Sequence, residues 1–452
     1  MIKCLPLLST CDFKMVNIDC IDKDLRHIWH PCMQMKDFEQ SRPVVVNKAR
    51  GSYLYTDQGV LIDAISSWWC KSLGHGHPAI QSAIKDQLEQ FEQVIAANTT
   101  HTALAELGER LAFLSGKQHS FFASDGSSAV EIALKLALHA SQLKGNPEKR
   151  DFIALKNAYH GETLGALSVS DLGIYKQPYE SLGPRCHFIQ SIPYVNSSND
   201  PLWTDCSGYW DKTLDSLESL KSTACAIIVE PIIQGAGGML CYSADFLLKL
   251  AQWAKANDIY LIVDEIMTGM CRTGEWFAFQ HAGIQPDMIC LSKGLTGGTI
   301  PLSCVLIDHE IYQLFYHDYE KGRSFLHSHT HSANAIGVAA ALAAIKTMQL
   351  ENTEQQATRL GHIMHSLFKE IAEQTDKLHN VRSIGAMVAA ELVPNPKHSR
   401  TGFYFYQQAL KQGALLRPMG DTIYWLPPLN SGNETIVKLA EITLNSIYAT
   451  YR

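Results

Sequence analysis

Two stretches decide the reading of this chain: Ile259-Tyr260-Leu261-Ile262-Val263-Asp264-Glu265 and, further along, Met288-Ile289-Cys290-Leu291-Ser292-Lys293-Gly294. Each is a short apolar run that ends abruptly in charged or small polar residues. Such a run, with no polar alternation, fits a strand buried on both faces, as in a parallel sheet covered by helices. Outward from these two, the runs at 120–123, 151–155, 226–229 and 302–307 have the same character. Segments of helical spacing lie among them, at 104–114 and 130–138, the second with Val130, Leu134 and Leu138 on one face. Ser243 reads as the N-cap of a further helix. Strands alternating with helices predict an α/β body with a mostly parallel sheet.

The flanks read differently. Residues 44–46, 52–55 and 61–65 read as short strands, with Asp57-Gln58-Gly59 as the turn before the last. After Ala333 a helix of small residues over 333–348 leads to strands near 385–392 and 422–426 and a closing helix over 434–448. The expected division is a large α/β domain over 76–332 and a smaller α+β domain assembled from both chain ends, 1–75 and 333–452.

At 452 residues the chain has room for about three domain-sized units, or one large α/β body with appendages. With 46% hydrophobic and 18% charged residues it is too apolar for disorder. Thirty-eight Lys and Arg against 45 Asp and Glu give a net charge of −7, and no basic stretch forms a nucleic-acid footprint. No apolar run approaches the ~18 residues of a membrane span, so a cytoplasmic protein is expected. The apolar patch at 5–8 before Cys11 is too short for a signal peptide, and Met15 is an alternative start. The twelve cysteines include no Cys-x-x-Cys and read as free thiols of a reducing compartment.

Open α/β sheets bind ligands beyond the carboxyl ends of their strands. Behind the apolar runs stand Glu230-Pro231, Asp264-Glu265, Ser292-Lys293-Gly294 and Ser124-Asp125-Gly126-Ser127-Ser128, the last opening a helix. Each alone has an ordinary structural reading: a helix cap, a solvated lysine, a capping carboxylate. Taken together they describe pyridoxal phosphate chemistry. A lysine amine bonds the cofactor, an aspartate keeps its ring nitrogen protonated, and a helix N-terminus holds its phosphate. No Gly-x-x-x-x-Gly-Lys-Ser/Thr loop is present, and Gly235-Ala236-Gly237-Gly238 lacks dinucleotide spacing. His327, His329 and His331 alternate but fall in a loop, so no metal site is expected.

These residues resemble the class III, fold-type I aminotransferase signature: Ile262-Val263-Asp264-Glu265 through Gly269, Arg272-Thr273-Gly274, Pro286-Asp287, Leu291-Ser292-Lys293-Gly294, Tyr159-His160-Gly161 and Glu230-Pro231-Ile232. Within that family the chain is similar to the branch that moves the amino group of S-adenosylmethionine to 8-amino-7-oxononanoate. The resemblance rests on Arg26-His27-Ile28-Trp29-His30-Pro31, Ser66-Ser67-Trp68-Trp69, Gln234-Gly235-Ala236-Gly237-Gly238-Met239, Leu295-Thr296-Gly297-Gly298-Thr299, Arg417-Pro418 and Ile423-Tyr424-Trp425-Leu426-Pro427-Pro428. It runs from about residue 24 to the C-terminus.

The resemblance implies roles residue by residue. Lys293 would bind the cofactor covalently and shuttle the substrate proton, and Asp264 would pair with the ring nitrogen. Gly126 and Ser127 would hold the phosphate, joined by His329 and Thr330 from the partner subunit of a homodimer. Tyr159 would flank cofactor and substrate. Trp68 would line the substrate channel with Trp69 packed behind it, Arg417 would grip the substrate carboxylate, and Ser328 would stand at the partner-supplied edge. Three departures from the family pattern stand out. Cys32 replaces the tyrosine usual after His-Pro at the acceptor site. Leu326-His327-Ser328-His329-Thr330 replaces Leu-His-Gly-Pro-Thr, and Ser124-Asp125-Gly126-Ser127 replaces Asp-Ser-Gly-Ser. The residues leave open whether the donor is S-adenosylmethionine or a substitute such as lysine. They also leave open a class III aminotransferase acting on an ω-amino acid or polyamine, and a 2,1-aminomutase.

Overall fold

The structure, a computed structural model, describes residues 20–452, so Cys4, Cys11 and Met15 lie outside the described residues. Its centre is a seven-stranded sheet in the order His119–Ala123, Ser303–Ile307, Met288–Leu291, Tyr260–Asp264, Ala224–Val229, Asp151–Leu155, Cys186–Ile189. Only Ser303–Ile307 runs against its neighbours; the other adjacent pairs are parallel. Side chains alternate faces along a strand. Accordingly Ile227, Val229, Leu261, Val263, Ile289 and Leu291 join one apolar core, while Ala226, Ile228, Ile262, Met288 and Cys290 join the other. A sheet buried on both faces is the expected mostly parallel α/β body.

Two helix starts matter for the site. Gly126–Leu143 follows the strand His119–Ala123, and the Asp125 carboxylate caps it by accepting the Ser128 N–H at 3.0 Å. Ser243 caps Ala244–Ala256 as expected, its hydroxyl accepting the Phe246 N–H at 3.2 Å. The helix expected over 333–348 begins at Ala335, with Asn334 as N-cap after a left-handed Ala333. It runs to Leu350 and packs against Pro78–Leu88, Thr102–Ser115 and the turn that begins at Lys293. Its alanines permit that close approach and brace the lysine turn from behind.

The chain ends meet in smaller sheets. Val46–Arg50, Tyr53–Thr56 and Gly59–Asp63 form an antiparallel set joined by Ala414–Leu415, which pairs parallel through Ala414 opposite Ile62. The first strand is displaced from the valine run at 44–46 because an edge strand is fixed by backbone pairing, here Arg50 opposite Tyr53, and not by apolar burial. Leu378–Ile384, Met387–Leu392 and Thr422–Trp425 form a second antiparallel sheet, packed against the Thr353–Thr375 helix, which in turn packs on Asn433–Tyr451. Among the described residues all ten cysteines carry free thiols, and no helix is long and apolar enough to cross a membrane.

Candidate active site

The carboxyl edge of the sheet gathers the chemistry. Asp264 is the last residue of its strand, Glu230 and Ser292-Lys293 follow theirs, and Ser124 to Gly126 join His119–Ala123 to its helix. Lys293, Asp264, Gly126, Ser127 and Tyr159 line a single cavity of about 190 Å³, floored by Trp69. Five residues expected at the cofactor, spread from position 126 to position 293, are thus brought together.

Lys293 opens a 3₁₀ turn with φ +42°, a left-handed value that a side chain-bearing residue adopts only when its surroundings impose it. The glycines that follow it are closely packed. A Cβ on Gly298 would lie 2.4 Å from the Cys70 carbonyl oxygen, and one on Gly294 would lie 2.8 Å from Ser72 Oγ. Burial pulls the Lys293 amine below the ordinary lysine range, while Asp264 and Glu230 oppose that pull. Its Nζ stands 4.9 Å from the Trp69 ring centre. The result is an amine held out of water yet facing the cavity.

Asp264 is nearly inaccessible and doubly held: Oδ2 accepts from His160 Nδ1 at 2.7 Å, and Oδ1 accepts the Ile266 N–H at 3.1 Å. A carboxylate only accepts, so Nδ1 carries the proton. His160 is itself placed by its N–H donating to Ser170 Oγ at 2.9 Å, and its Nε2 has no partner among the described residues. Glu230 accepts the N–H groups of Tyr159 and Gly235 at 2.9 and 2.8 Å, which fixes where Tyr159 stands. Burial pushes the Glu230 carboxyl up to about 7. The Tyr159 hydroxyl donates to Glu162 Oε1 at 3.1 Å, and burial followed by Glu162 pushes the phenol well above its usual range.

At the helix start, first-turn N–H groups have no internal acceptor and the dipole end is positive. Close approach is preserved by glycine. A Cβ on Gly126 would lie 2.9 Å from Ile266 Cδ1, and one on Gly161, at φ +127°, would lie 2.2 Å from Ser127 Oγ. The Glu162 N–H also donates to Ser127 Oγ at 3.3 Å. An anion cradle, a buried carboxylate and a desolvated amine around one cavity form a donor set that fits pyridoxal phosphate. Gly126 and Ser127 suit its phosphate, Asp264 its ring nitrogen and Lys293 its aldehyde.

The substrate-side residues stand beyond. Ser66, Ser67 and Trp69 all have left-handed backbones, with φ of 50°, 60° and 63°. Asp63 sustains this turn, accepting the Ser67 N–H at 2.8 Å and pairing with His75 Nε2 at 2.8 Å. The tight turn drives the two tryptophans apart. Trp68 is 44% exposed with the Arg417 guanidinium 5.0 Å from its ring centre, while Trp69 is buried beside Lys293 and donates from Nε1 to Tyr424 at 2.9 Å. Trp69 is therefore a wall of the lysine cavity and not packing behind Trp68. Arg417 Nη2 donates to the Cys32 carbonyl at 2.7 Å. Cys32 and Arg417 line a second cavity of about 530 Å³, and the Cys32 thiol lies 3.9 Å from Oε1 of Glu162, the same oxygen that accepts from the Tyr159 hydroxyl. Burial, then Glu162, pushes that thiol up.

Ser328, His329 and Thr330 do not line the lysine cavity of their own chain; Ser328 and Thr330 are exposed. Their loop is held locally, with Gln93 Nε2 donating to the Thr330 carbonyl at 3.2 Å. The positions that the sequence left without a role are His160 and Glu162, whereas Trp69 was expected only as packing. His160 and Glu162 were marked only by adjacency to Tyr159, because their partners Asp264 and Cys32 are more than 100 residues away.

The aminotransferase class-III family profile matches residues 35–447. The adenosylmethionine-8-amino-7-oxononanoate aminotransferase of Helicobacter pylori is 37% identical over 421 residues, covering 92% of this chain and 94% of that protein. Among solved structures, the enzyme of the same name from Methanocaldococcus jannaschii superimposes with a TM-score of 0.88 at 28% identity, over 96% of this chain and 99% of that one. An amine transaminase from an uncultivated Pseudomonas species, in its PLP-bound form, gives a TM-score of 0.85 at 27% identity, over 94% and 98%.

Proposed function

The chain belongs to the aminotransferase class-III family, and we propose that it moves the amino group of S-adenosylmethionine to 8-amino-7-oxononanoate, giving 7,8-diaminononanoate for biotin synthesis. One observation carries the reading. Lys293, Asp264 and the Gly126 helix start converge on one cavity, whose Tyr159 hydroxyl donates to Glu162, and Glu162 in turn stands beside Cys32, whose carbonyl accepts from Arg417. The relatives named for this reaction support the choice of substrates.

Pyridoxal phosphate, when bound, supplies a protonated aromatic ring that draws electron density from the reacting carbon. Gly126 and Ser127 would bind its phosphate through the helix start, and Lys293 would hold its aldehyde carbon. Asp264 keeps a proton at the ring nitrogen, its carboxylate held in position by His160. The Lys293 amine, made less basic by burial and set free when the substrate amine takes its place, would carry a proton at Nζ from the substrate carbon to the cofactor and, in the second half-reaction, back the other way. Tyr159 flanks the ring and narrows the path of the substrate. The acceptor carries a carboxylate, an aliphatic chain and an amino-ketone. Burying five or so methylenes beside Trp68 contributes roughly 4 kcal/mol at ~0.8 kcal/mol each. Arg417 then clamps the carboxylate with its planar fork, and Cys32 forms part of the acceptor wall. Donor and acceptor occupy the site in turn, the donor departing as its oxo acid.

The enzyme acts as a homodimer with shared sites, in which Ser328, His329 and Thr330 reach the partner subunit's cavity. The exposure of Ser328 and Thr330 on a single chain supports this. The test is direct. Purified protein with pyridoxal phosphate, S-adenosylmethionine and 8-amino-7-oxononanoate should yield 7,8-diaminononanoate by mass spectrometry, and Lys293→Ala should yield none. No product, with amino transfer from some other amine, would keep the aminotransferase and discard these substrates.

A further inference from the structure

We propose that His327 and His329, oriented by the Lys135 ammonium, are positioning residues that fix the loop carrying Ser328 and Thr330, and that they do so only while both imidazoles are neutral. The inference rests on the reading under which that loop reaches the partner subunit's site.

Hydrogen-bond direction supplies the argument. Lys135 Nζ lies 2.9 Å from His327 Nδ1, and His327 Nε2 lies 2.9 Å from His329 Nε2. An ammonium only donates, so His327 Nδ1 must be an acceptor and its ring proton must sit on Nε2. That Nε2–H donates to His329 Nε2, which must therefore be bare, with its own proton on Nδ1. The relay from Lys135 through His327 to His329 thus runs one way and leaves neither ring charged.

The relay is anchored to rigid structure. The His327 ring lies nearly parallel to Phe325, at 5.9 Å and 11°, and meets Phe121 of the central sheet edge-on at 6.0 Å. Lys135 projects from the Gly126–Leu143 helix, the one whose N-terminus forms the anion cradle. On the far side, the His329 N–H donates to Ser332 Oγ at 3.2 Å. Ser328 is therefore pinned between two anchored histidines, and Thr330 follows at once. Where the family pattern has glycine and proline at 328 and 329, this chain fixes the loop with side chains.

The charged groups facing His327 are Lys135 and Glu131 of that helix and His329 of its own loop; Phe121 and Phe325 carry no charge. Burial, Lys135 and His329 hold the His327 imidazole below its ordinary range, and Glu131 opposes them. A proton added to either ring would set N–H against N–H or against the ammonium. Because the His327 imidazole is held below its ordinary value of about 6.5, the arrangement is intact at and above that pH and is lost only as pH falls below it.

The test uses the holoenzyme and two variants at exposed or half-exposed positions, Lys135→Met and His329→Gln, with the dissociation constant of pyridoxal phosphate measured from pH 5.5 to 8. In the unsubstituted protein the cofactor should loosen about tenfold on the acid side, the scale of one lost hydrogen bond. Lys135→Met should move that step to higher pH by removing the cation beside Nδ1. His329→Gln should flatten it, because an amide oxygen accepts at any pH. Identical profiles in all three proteins would overturn the proposal. Thr330→Val separates the underlying reading. If it leaves cofactor binding unchanged, the loop does not serve the partner's site. The relay is then judged by imidazole NMR titration, where independent titration of His327 and His329 would refute it.

Discussion

Replacing His160 by phenylalanine isolates what holds Asp264. The ring volume is kept, so packing around a fully buried side chain persists, but the Nδ1–H that donates to Asp264 at 2.7 Å is lost. Asp264 keeps only the Ile266 N–H at 3.1 Å and gains a free rotation. A hydrogen bond to a charged group is worth about 1.5–3 kcal/mol. If that energy serves to keep the carboxylate in line with the ring nitrogen during proton transfer, kcat falls about 10- to 150-fold, at ~1.4 kcal/mol per tenfold. KM values and the cofactor dissociation constant should change little, because the phosphate and Arg417 contacts are untouched. His160→Asn, whose amide can donate from nearly the same point as Nδ1, should recover most of the rate. The assay is single-turnover absorbance on each substrate separately, with both half-reactions slowed alike. A His160→Phe enzyme within twofold of the unsubstituted one would refute the positioning argument. An asparagine variant no better than phenylalanine would show that ring shape matters instead of the hydrogen bond.

Three further outcomes are expected. Cys32→Tyr, which puts a phenol where the thiol faces Glu162, should lower the KM for the oxononanoate without changing the donor half-reaction; an unchanged acceptor KM would remove position 32 from the substrate site. Arg417→Met keeps a chain of similar length but removes the fork and its cation–π contact with Trp68, so acceptor kcat/KM should drop about 100-fold, the scale of a charged hydrogen-bonded pair; steady-state kinetics check it, and a loss under threefold would place the substrate carboxylate elsewhere. Gly161→Ala would set a Cβ 2.2 Å from Ser127 Oγ at φ +127°, so cofactor affinity, read by equilibrium dialysis, should weaken by about tenfold or more at ~1–3 kcal/mol of strain; undiminished affinity would acquit Ser127 of holding the phosphate.

The sequence by itself determined the α/β body, because the signal for a doubly buried strand is local: 226–229 and 288–291 need no partner to be read as strands. It also located Lys293, Asp264, Gly126 and Ser127, since a residue that follows a buried run must emerge at a sheet edge, and parallel strands share that edge. Ser243 was legible as a cap from its own neighbours. What stayed hidden depended on pairs distant in sequence or on backbone shape. The reversal of Ser303–Ile307 is a matter of pairing direction between strands, which an apolar run does not record. The Asp264–His160 bond spans 104 positions and exists only because the loop after Asp151–Leu155 reaches past the intervening strand to the end of Tyr260–Asp264. The division of Trp68 from Trp69 comes from left-handed residues that no propensity favours and that Asp63 sustains from its own strand. Residue types and local periodicity thus fixed which groups are present and which edge they reach. Their facing, protonation and partners were decided only when distant segments packed, because hydrogen-bond direction and desolvation are properties of the assembled neighbourhood.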